Sequence, residues 1–332
     1  MRSTGPQRSA VVSAALLTVL TFWPSSTHAQ SPGASEGSAR AAARRLHRAA
    51  LDDADRGRYP QALETLKQAV RADPAFALAY NDLGYVCHAS GLYAEAVKYY
   101  REAIRLEPEY ALAFNNLGMA YSAAGAYEDA AAALRRAVEL RGDYAAAFYN
   151  LGLTYHKLGR PAAALEALQQ ATRLAPTDDA ALLSLGIVYT DMGRYVEAVA
   201  ALQRATAARP DAPAIYKSLG LAQHKADNLA AAVAAYRQAL ALAPDAEVYN
   251  NLGVAYDRLG MSGAAVAAYE AALRLRPQYA EAYYNLGVAY LRADQKGAAL
   301  QQYARLKTLA PGLAADLFGL LHRDKLLDAA HK

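Results

Sequence analysis

Seven polar side chains able to hydrogen-bond a peptide recur at nearly constant intervals of 34, 34, 34, 34, 33 and 34 residues. They are Asp82, Asn116, Asn150, Ser184, Ser218, Asn251 and Asn285. All of them accept hydrogen bonds, and the six amides and hydroxyls also donate them. A peptide bond needs both functions, so this set could hold the main chain of an extended peptide. The alternative is that these residues are solvated members of a repeat consensus, and the two serines interrupt the amide row.

Three histidines, His88, His156 and His224, recur at twice that interval. With packed helices about 8–10 Å apart, successive imidazoles would lie on the order of 20 Å apart. Zinc ligands lie about 2 Å from a single ion, so these histidines cannot share one. We predict no metal and no cofactor. A pH-sensitive contact with a partner is the alternative reading of these side chains.

The sequence contains no phosphate-binding loop, no zinc-binding helix motif and no Gly-x-Ser-x-Gly turn. We therefore predict a protein that is not an enzyme. An enzyme that uses histidines and carboxylates remains the alternative, and it requires His–Asp pairs within hydrogen-bond reach.

Thirty-five basic and 31 acidic residues give a formal charge of only +4. That balance argues against a nucleic-acid partner, which needs a concentrated basic surface.

The elements that position these side chains belong to an internal repeat. Leu-Gly pairs begin at Leu83, Leu117, Leu151, Leu185, Leu219, Leu252 and Leu286. An alanine follows each Gly by twelve residues, at Ala96, Ala130, Ala164, Ala198, Ala232, Ala265 and Ala299. Proline closes most copies, at Pro108, Pro176, Pro210, Pro244, Pro277 and Pro311. Each copy is expected to form two short helices that cross at the small residues, with proline stopping the second helix.

This pattern resembles the tetratricopeptide repeat, including its aromatic residue at Tyr80, Phe114, Phe148, Tyr216, Tyr249 and Tyr283. The resemblance implies an all-α, right-handed superhelical solenoid of stacked antiparallel helix pairs. The repeats are similar to the superhelix of protein O-GlcNAc transferases, without a catalytic domain. In that superhelix, side-chain amides hold the main chain of an extended peptide.

Seven full repeats are set at 77–110, 111–144, 145–178, 179–212, 213–245, 246–279 and 280–313. Residues 43–76 form a degenerate first copy, and 314–332 are expected to form a capping helix with Leu313, Leu317, Leu320 and Leu321 on one stripe.

The resemblance also implies that positions 2, 5, 6, 9, 12 and 13 of each repeat line a concave groove. The seven polar residues above occupy position 6. Position 9 is apolar throughout: Tyr85, Met119, Leu153, Ile187, Leu221, Val254 and Val288. This column could be core or a partner surface. Position 13 becomes basic toward the C-terminal half through Lys157, Lys225, Arg258 and Arg292, which would favour an acidic partner unless these charges are merely solvated.

The N-terminus resembles a secretory signal peptide over residues 1–29. Two arginines precede an uncharged, mostly apolar run from Ala10 to Trp23, and Thr27-His28-Ala29 is a small-residue exit. The run is shorter than the roughly 20 residues that a membrane-spanning helix needs, although an uncleaved anchor is the alternative. Residues 30–42 are expected to form a flexible linker. The mature protein is therefore predicted to be periplasmic or secreted, without stable membrane insertion.

Together these features predict a non-catalytic scaffold or adaptor of the cell envelope. It would bind a protein or peptide partner in its groove, in a process such as secretion, pilus assembly, polysaccharide export or outer-membrane assembly.

Overall fold

The computed structural model describes residues 37–322, which fold into α-helices without strands. Eight helix pairs follow one another, each a first helix and an antiparallel second helix, and a final single helix closes the described chain. The pairs are α1 Ser38–Asp55 and α2 Tyr59–Ala72; α3 Ala77–Ala89 and α4 Tyr93–Leu106; α5 Ala111–Ala123 and α6 Tyr127–Leu140; α7 Ala145–Lys157 and α8 Pro161–Leu174; α9 Asp179–Asp191 and α10 Tyr195–Ala208; α11 Pro213–Lys225 and α12 Leu229–Leu242; α13 Ala246–Arg258 and α14 Ser262–Leu275; and α15 Ala280–Arg292 and α16 Lys296–Leu309. The final helix is α17 Pro311–Leu321.

The helix bounds follow the repeat. From α3 to α15, each first helix occupies positions 1–13 of its repeat, as set from the sequence. From α3 onward, each first helix packs against its own second helix and against the second helix of the preceding pair. Neighbouring first helices also touch one another, whereas the second helices pack mainly on first helices. The stack therefore curves with the first helices on its concave side, which confirms the predicted all-α solenoid.

Small residues allow the two helices of a pair to cross closely. In repeat three, a Cβ added to Gly152 would lie 2.6 Å from Cγ of Leu168, so only glycine fits there. The alanine twelve residues beyond this glycine, Ala164, is fully buried. The same arrangement recurs along the stack, so no pair buries its apolar surface without its neighbours.

Turns between the two helices of a pair need a left-handed residue. Gly91 has φ of 76° and Gly125 has φ of 79°. In the fifth and seventh repeats, Asp227 and Asp294 take this conformation instead, with φ of 65° and 55°. Aspartate tolerates the left-handed region better than most residues but less well than glycine.

The ends of the solenoid differ from the expected boundaries. Helix α1 begins at Ser38, so residues 38–42 of the predicted linker are helical, because alanine and arginine are strong helix formers. Helix α17 begins at Pro311 rather than at residue 314, since proline is favoured in the first turn of a helix. The predicted signal peptide, residues 30–36 of the linker and residues 323–332 lie outside the described residues.

The C-terminal helix packs on the last pair as a cap. Leu317 is fully buried, and its side chain fills the space beside Gly287 that a residue of the second helix fills in the other full repeats. Leu313 and Leu321 are half-buried, but Leu320 is 42% exposed and so does not belong to the packed stripe.

Cys87 is a buried core residue, and burial raises the pKa of its thiol to about 11. Within the described part, no helix is long and apolar enough to cross a bilayer.

Candidate functional site

The first helices carry the three predicted columns along the concave side. Every residue at position 9 is partly exposed, from Tyr85 and Met119 to Val288. Position 13 is exposed in all seven repeats, and position 6 is half-buried except for Ser184, which is buried. The groove floor is therefore an apolar stripe in contact with solvent, bordered by polar side chains.

Most position-6 side chains bond to the repeat before them. The Nδ2 atoms of Asn116, Asn150 and Asn285 donate to the Oδ1 atoms of Asn81, Asn115 and Asn250, at 3.0, 2.9 and 2.9 Å. Each acceptor stands at position 5 of the preceding repeat, 35 residues earlier in the chain. We call each such pair, position 5 to position 6 of the next repeat, a rung.

Two further rungs use other residue types. His47 stands at position 5 of the degenerate copy, and its Nε2 lies 2.6 Å from Oδ2 of Asp82. Tyr149 stands at position 5 of the third repeat, and a side-chain hydrogen bond joins it to Ser184 at position 6 of the fourth repeat. These position-5 partners were missed from the sequence, although Asn81, Asn115 and Asn250 recur there. The position-6 column thus has a structural role that neither sequence interpretation included.

Two consecutive position-6 residues have no rung. The position-5 residue of the repeat before Ser218 is Leu183, which has no polar side-chain atom. The position-5 residue of the repeat before Asn251 is Lys217, which pairs with acids instead. The Lys217 Nζ lies 3.1 Å from Oδ2 of Asp245 and 2.7 Å from Oε2 of Glu247. Within residues 37–322, neither Ser218 nor Asn251 makes a side-chain hydrogen bond.

The Lys217 cluster sits where the fifth repeat is one residue short. Burial opposes the charge of Lys217, but its hydrogen bonds with Glu247 and Asp245 outweigh that effect and raise its pKa. Asp245 also caps α13 by accepting from the backbone N–H groups of Glu247 and Val248. The Lys217 ammonium is therefore held by acids of its own chain and is not free to bind an anion.

The basic column is weaker than its sequence indicated. Arg258 pairs with Asp227, and the Nη1 atom of Arg292 lies 3.5 Å from Oδ2 of Asp257. Lys157 and Lys225 remain exposed and form no ion pair with the residues described. Two lysines therefore supply the uncompensated positive charge of this column.

The histidines do not form a common site. His156 Nε2 lies 2.9 Å from Oδ2 of Asp191, which meets the geometric condition that an enzyme would require. This contact joins position 12 to position 13 of the next repeat, as the Asp257–Arg292 pair does, so it belongs to the inter-repeat packing. Burial lowers the pKa of His88, and burial together with Arg258 lowers that of His224. Across residues 37–322, no three His, Cys, Asp or Glu side chains are placed to hold a metal ion.

Profiles described as tetratricopeptide repeat match residues 47–111, 115–179, 155–223, 214–245 and 280–312, and a profile described as TPR repeat matches 263–294. No curated protein sequence matches the chain.

Several solved structures share the fold. A Pseudomonas aeruginosa pilF structure aligns with a TM-score of 0.57 at 22% identity, covering 64% of this chain and 97% of that one. The anaphase-promoting-complex assembly Cut9–Hcn1 aligns at 0.54 and 21% identity, covering 79% of this chain and 52% of that chain. YrrB, described as a TPR protein with an unusual peptide-binding site, aligns at 0.50 and 22% identity, over 56% of this chain and 96% of that one. At these identities the likeness shows the fold alone.

Proposed function

Because the chain belongs to the tetratricopeptide repeat family, we propose that it is a non-catalytic scaffold that binds a segment of a partner protein in its concave groove. The observation that carries this proposal is the position-9 column. Seven apolar side chains remain partly exposed in a continuous stripe along the concave side. Tyr85, Val254 and Val288 pack on buried clusters with part of their surface, and the part that remains in contact with solvent along the groove is the apolar surface a partner would cover.

The polar residues around the stripe support binding rather than catalysis. The His–Asp pairs and most amides are engaged in contacts between repeats, and helix pairs occupy nearly all of residues 37–322. We further propose that the protein acts in the cell envelope, in a secretion or assembly process, and is periplasmic or secreted. The signal-like residues 1–29 support this location. N-terminal sequencing of the protein recovered from producing cells tests it, with Gln30 expected as the first residue.

The groove is tested with charge reversal at its two unpaired lysines. The variant Lys157→Glu/Lys225→Glu changes exposed groove residues and should leave the fold intact. The matched control, Lys98→Glu/Arg237→Glu, makes the same charge change on exposed residues of the second helices α4 and α12. Each form is produced without residues 1–29 and used to capture proteins from an envelope extract. The captured proteins are identified by mass spectrometry, and each is then titrated individually.

A groove partner binds the native protein and the control with equal affinity and binds the groove variant more weakly. The proposal is wrong if every captured protein binds all three forms equally, because the interface would then lie outside the groove.

A further inference from the structure

The first turns of α1 carry a concentrated positive charge. Arg40, Arg44, Arg45 and Arg48 all lie in the first half of this helix, and all four side chains are exposed. No acidic residue stands between Ser38 and Arg48. Eight residues of α-helix span about 12 Å, so four guanidinium groups share one short stretch of surface. Because the whole chain has a formal charge of only +4, this stretch is far more basic than the rest of the molecule.

This distribution of charge works against the helix that carries it. Arg40 stands in the first turn of α1, and three aspartates lie among the last four residues without a base beside them. The helix dipole favours the reverse order, acids first and bases last. Arg40, Arg44 and Arg48 also follow one another at intervals of four, where like charges repel. Helix stability therefore does not explain the arrangement, and a pattern that lowers stability without compensation is expected where function requires it.

The chain does little to neutralise these arginines. The Nε atom of Arg40 lies 3.7 Å from Oδ2 of Asp73, and the Arg40 side chain stays 65% exposed. Water and salt screen such a contact, so it contributes little. Arg45 and Arg48 form no ion pair with the residues described. At least three of the four charges therefore remain available to an anionic surface.

The place of α1 in the stack keeps this surface open. Arg45 stands at position 3 of the degenerate copy, where the seven full repeats have residues that are at most 2% exposed. Of these, Ala79, Ala147 and Val248 pack with residues of the second helix before them, and α1 follows no described helix pair. Helix α1 also has 18 residues against 13 in the later first helices, so Arg40 lies on an additional turn. A terminal face must be polar, but charge of either sign meets that need.

Apolar anchors are missing from this surface. No large hydrophobic side chain among residues 37–77 is exposed. Interfaces between proteins depend on aromatic and aliphatic anchors that become buried at their centre. A surface of arginines alone fits a fluid anionic surface better, because lipid headgroups offer many phosphates and need no matching shape.

We propose that the arginines of α1 attach the protein reversibly to a bilayer that contains anionic phospholipids. The contact is with lipid phosphates and inserts no residue into the hydrocarbon. Close to such a bilayer, each basic residue strengthens attachment by about fivefold, so four contribute roughly several hundredfold. The apolar run that ends at Trp23 precedes Arg40 by 17 residues, so these arginines follow closely on the segment expected to meet the export membrane. That order favours lipid over nucleic acid, the other phosphate-rich surface.

Vesicles of phosphatidylcholine and phosphatidylglycerol in equal parts are the probe, and vesicles of phosphatidylcholine alone are the reference. The protein beginning at Gln30 retains every described helix, and circular dichroism checks its fold. The full chain is measured alongside. Co-sedimentation should show attachment to the mixed vesicles only. Attachment should be lost as salt rises to about 0.5 M, because the Debye length is then only a few ångströms.

The variant Arg45→Gln/Arg48→Gln removes two charges and should attach about 25-fold more weakly. Its unfolding midpoint should not change, because both side chains are exposed and glutamine is a good helix former. The matched control Arg237→Gln/Arg274→Gln makes the same change on exposed residues of α12 and α14 and should attach like the native protein. Arg45→Lys/Arg48→Lys keeps the charge and should attach within about threefold of it, since lysine also binds phosphate.

The inference is wrong if the mixed vesicles bind no protein at low salt, or if both kinds of vesicle bind it equally. Equal weakening by the α1 variant and the control would also overturn it. Octaglutamate and a DNA duplex are titrated at the same salt. Tighter binding of either one, lost in the α1 variant, would replace the lipid surface with an acidic peptide or a nucleic acid.

This attachment and the groove are tested separately. A partner that depends on Lys157 and Lys225, found together with inert vesicles, would leave the proposed function standing and remove only the attachment. Vesicle attachment that depends on Arg45 and Arg48, found without any groove partner, would do the opposite.

Discussion

At the scale of single residues, the amide column mainly joins repeats together. Asn81 is 2% exposed, accepts from Nδ2 of Asn116 at 3.0 Å and donates to Oδ1 of Asp82 at 3.0 Å. A buried amide stays in place only when its donors and acceptor are satisfied. The same residue type at position 6 therefore joins two repeats where position 5 of the preceding repeat offers a hydrogen-bond partner.

Replacing Asn81 with alanine should lower the free energy of unfolding by about 1–3 kcal/mol, because the half-buried side chains of Asp82 and Asn116 each lose a hydrogen-bond partner. Ser218→Ala removes an unpaired hydroxyl and should change stability by less than about 0.5 kcal/mol. Urea unfolding followed by far-UV circular dichroism compares the two variants. Equal unfolding midpoints would show that the rungs add nothing to stability.

At the scale of the helix pair, the crossing glycine sets the distance between the helices. In repeat three, Leu168 is fully buried and sits where a Cβ of Gly152 would be. Helix propensity alone would favour alanine over glycine inside α7. Packing therefore overrides propensity here, and the Leu-Gly pair persists because the second helix must approach the first.

Gly152→Ala should lower the free energy of unfolding by about 1–3 kcal/mol through overpacking against Leu168. The control is Gly263→Ala in α14, where an added Cβ meets no atom within 4 Å. That change should raise stability by up to about 1 kcal/mol, the ordinary advantage of alanine in a helix. Thermal or urea unfolding gives both values. Stabilisation by both substitutions would contradict the close-packed crossing.

At the scale of the whole molecule, an open stack must cover its last apolar face. Helix α17 does this by inserting Leu317 beside Gly287, at the place that residues of the second helices fill in earlier repeats. Two large apolar side chains of this helix stay more than a third exposed, Phe318 and Leu320, although the ring of Phe318 lies 5.6 Å from that of Tyr303 in α16. A stack of repeats is stabilised by nearest-neighbour interfaces, so losing the cap exposes the end of the solenoid.

Leu317→Ala should lower the free energy of unfolding of the C-terminal repeats by about 2–5 kcal/mol, the range for deleting a buried leucine side chain. Leu320→Ala is the matched control and should be nearly neutral, because that side chain is 42% exposed. Hydrogen exchange of α15 and α16 measures the local effect, and size-exclusion chromatography reports any self-association. If neither variant lost hydrogen-exchange protection in α15 and α16, α17 would not be a cap.

The sequence by itself determined the repeat and its register, and its resemblance to the tetratricopeptide repeat implied the all-α solenoid. The repeat and its register follow from spacing along the chain, since the Leu-Gly pairs and alanines mark where two helices cross. It also identified the position-6, position-9 and position-13 columns. The sequence misplaced the two ends, at Ser38 and Pro311, because repeat spacing stops there and composition is a weaker guide.

Only the tertiary structure decided which polar residues have partners. A rung joins residues of neighbouring repeats that are 35 positions apart, one more than the repeat length of 34. That extra position follows from how neighbouring helix pairs stack. The structure likewise assigned Arg258 and Arg292 to acids of their own chain and left Ser218 and Asn251 without a partner. Hydrogen bonds and ion pairs depend on distances of about 3 Å between atoms, which packing fixes and residue type does not.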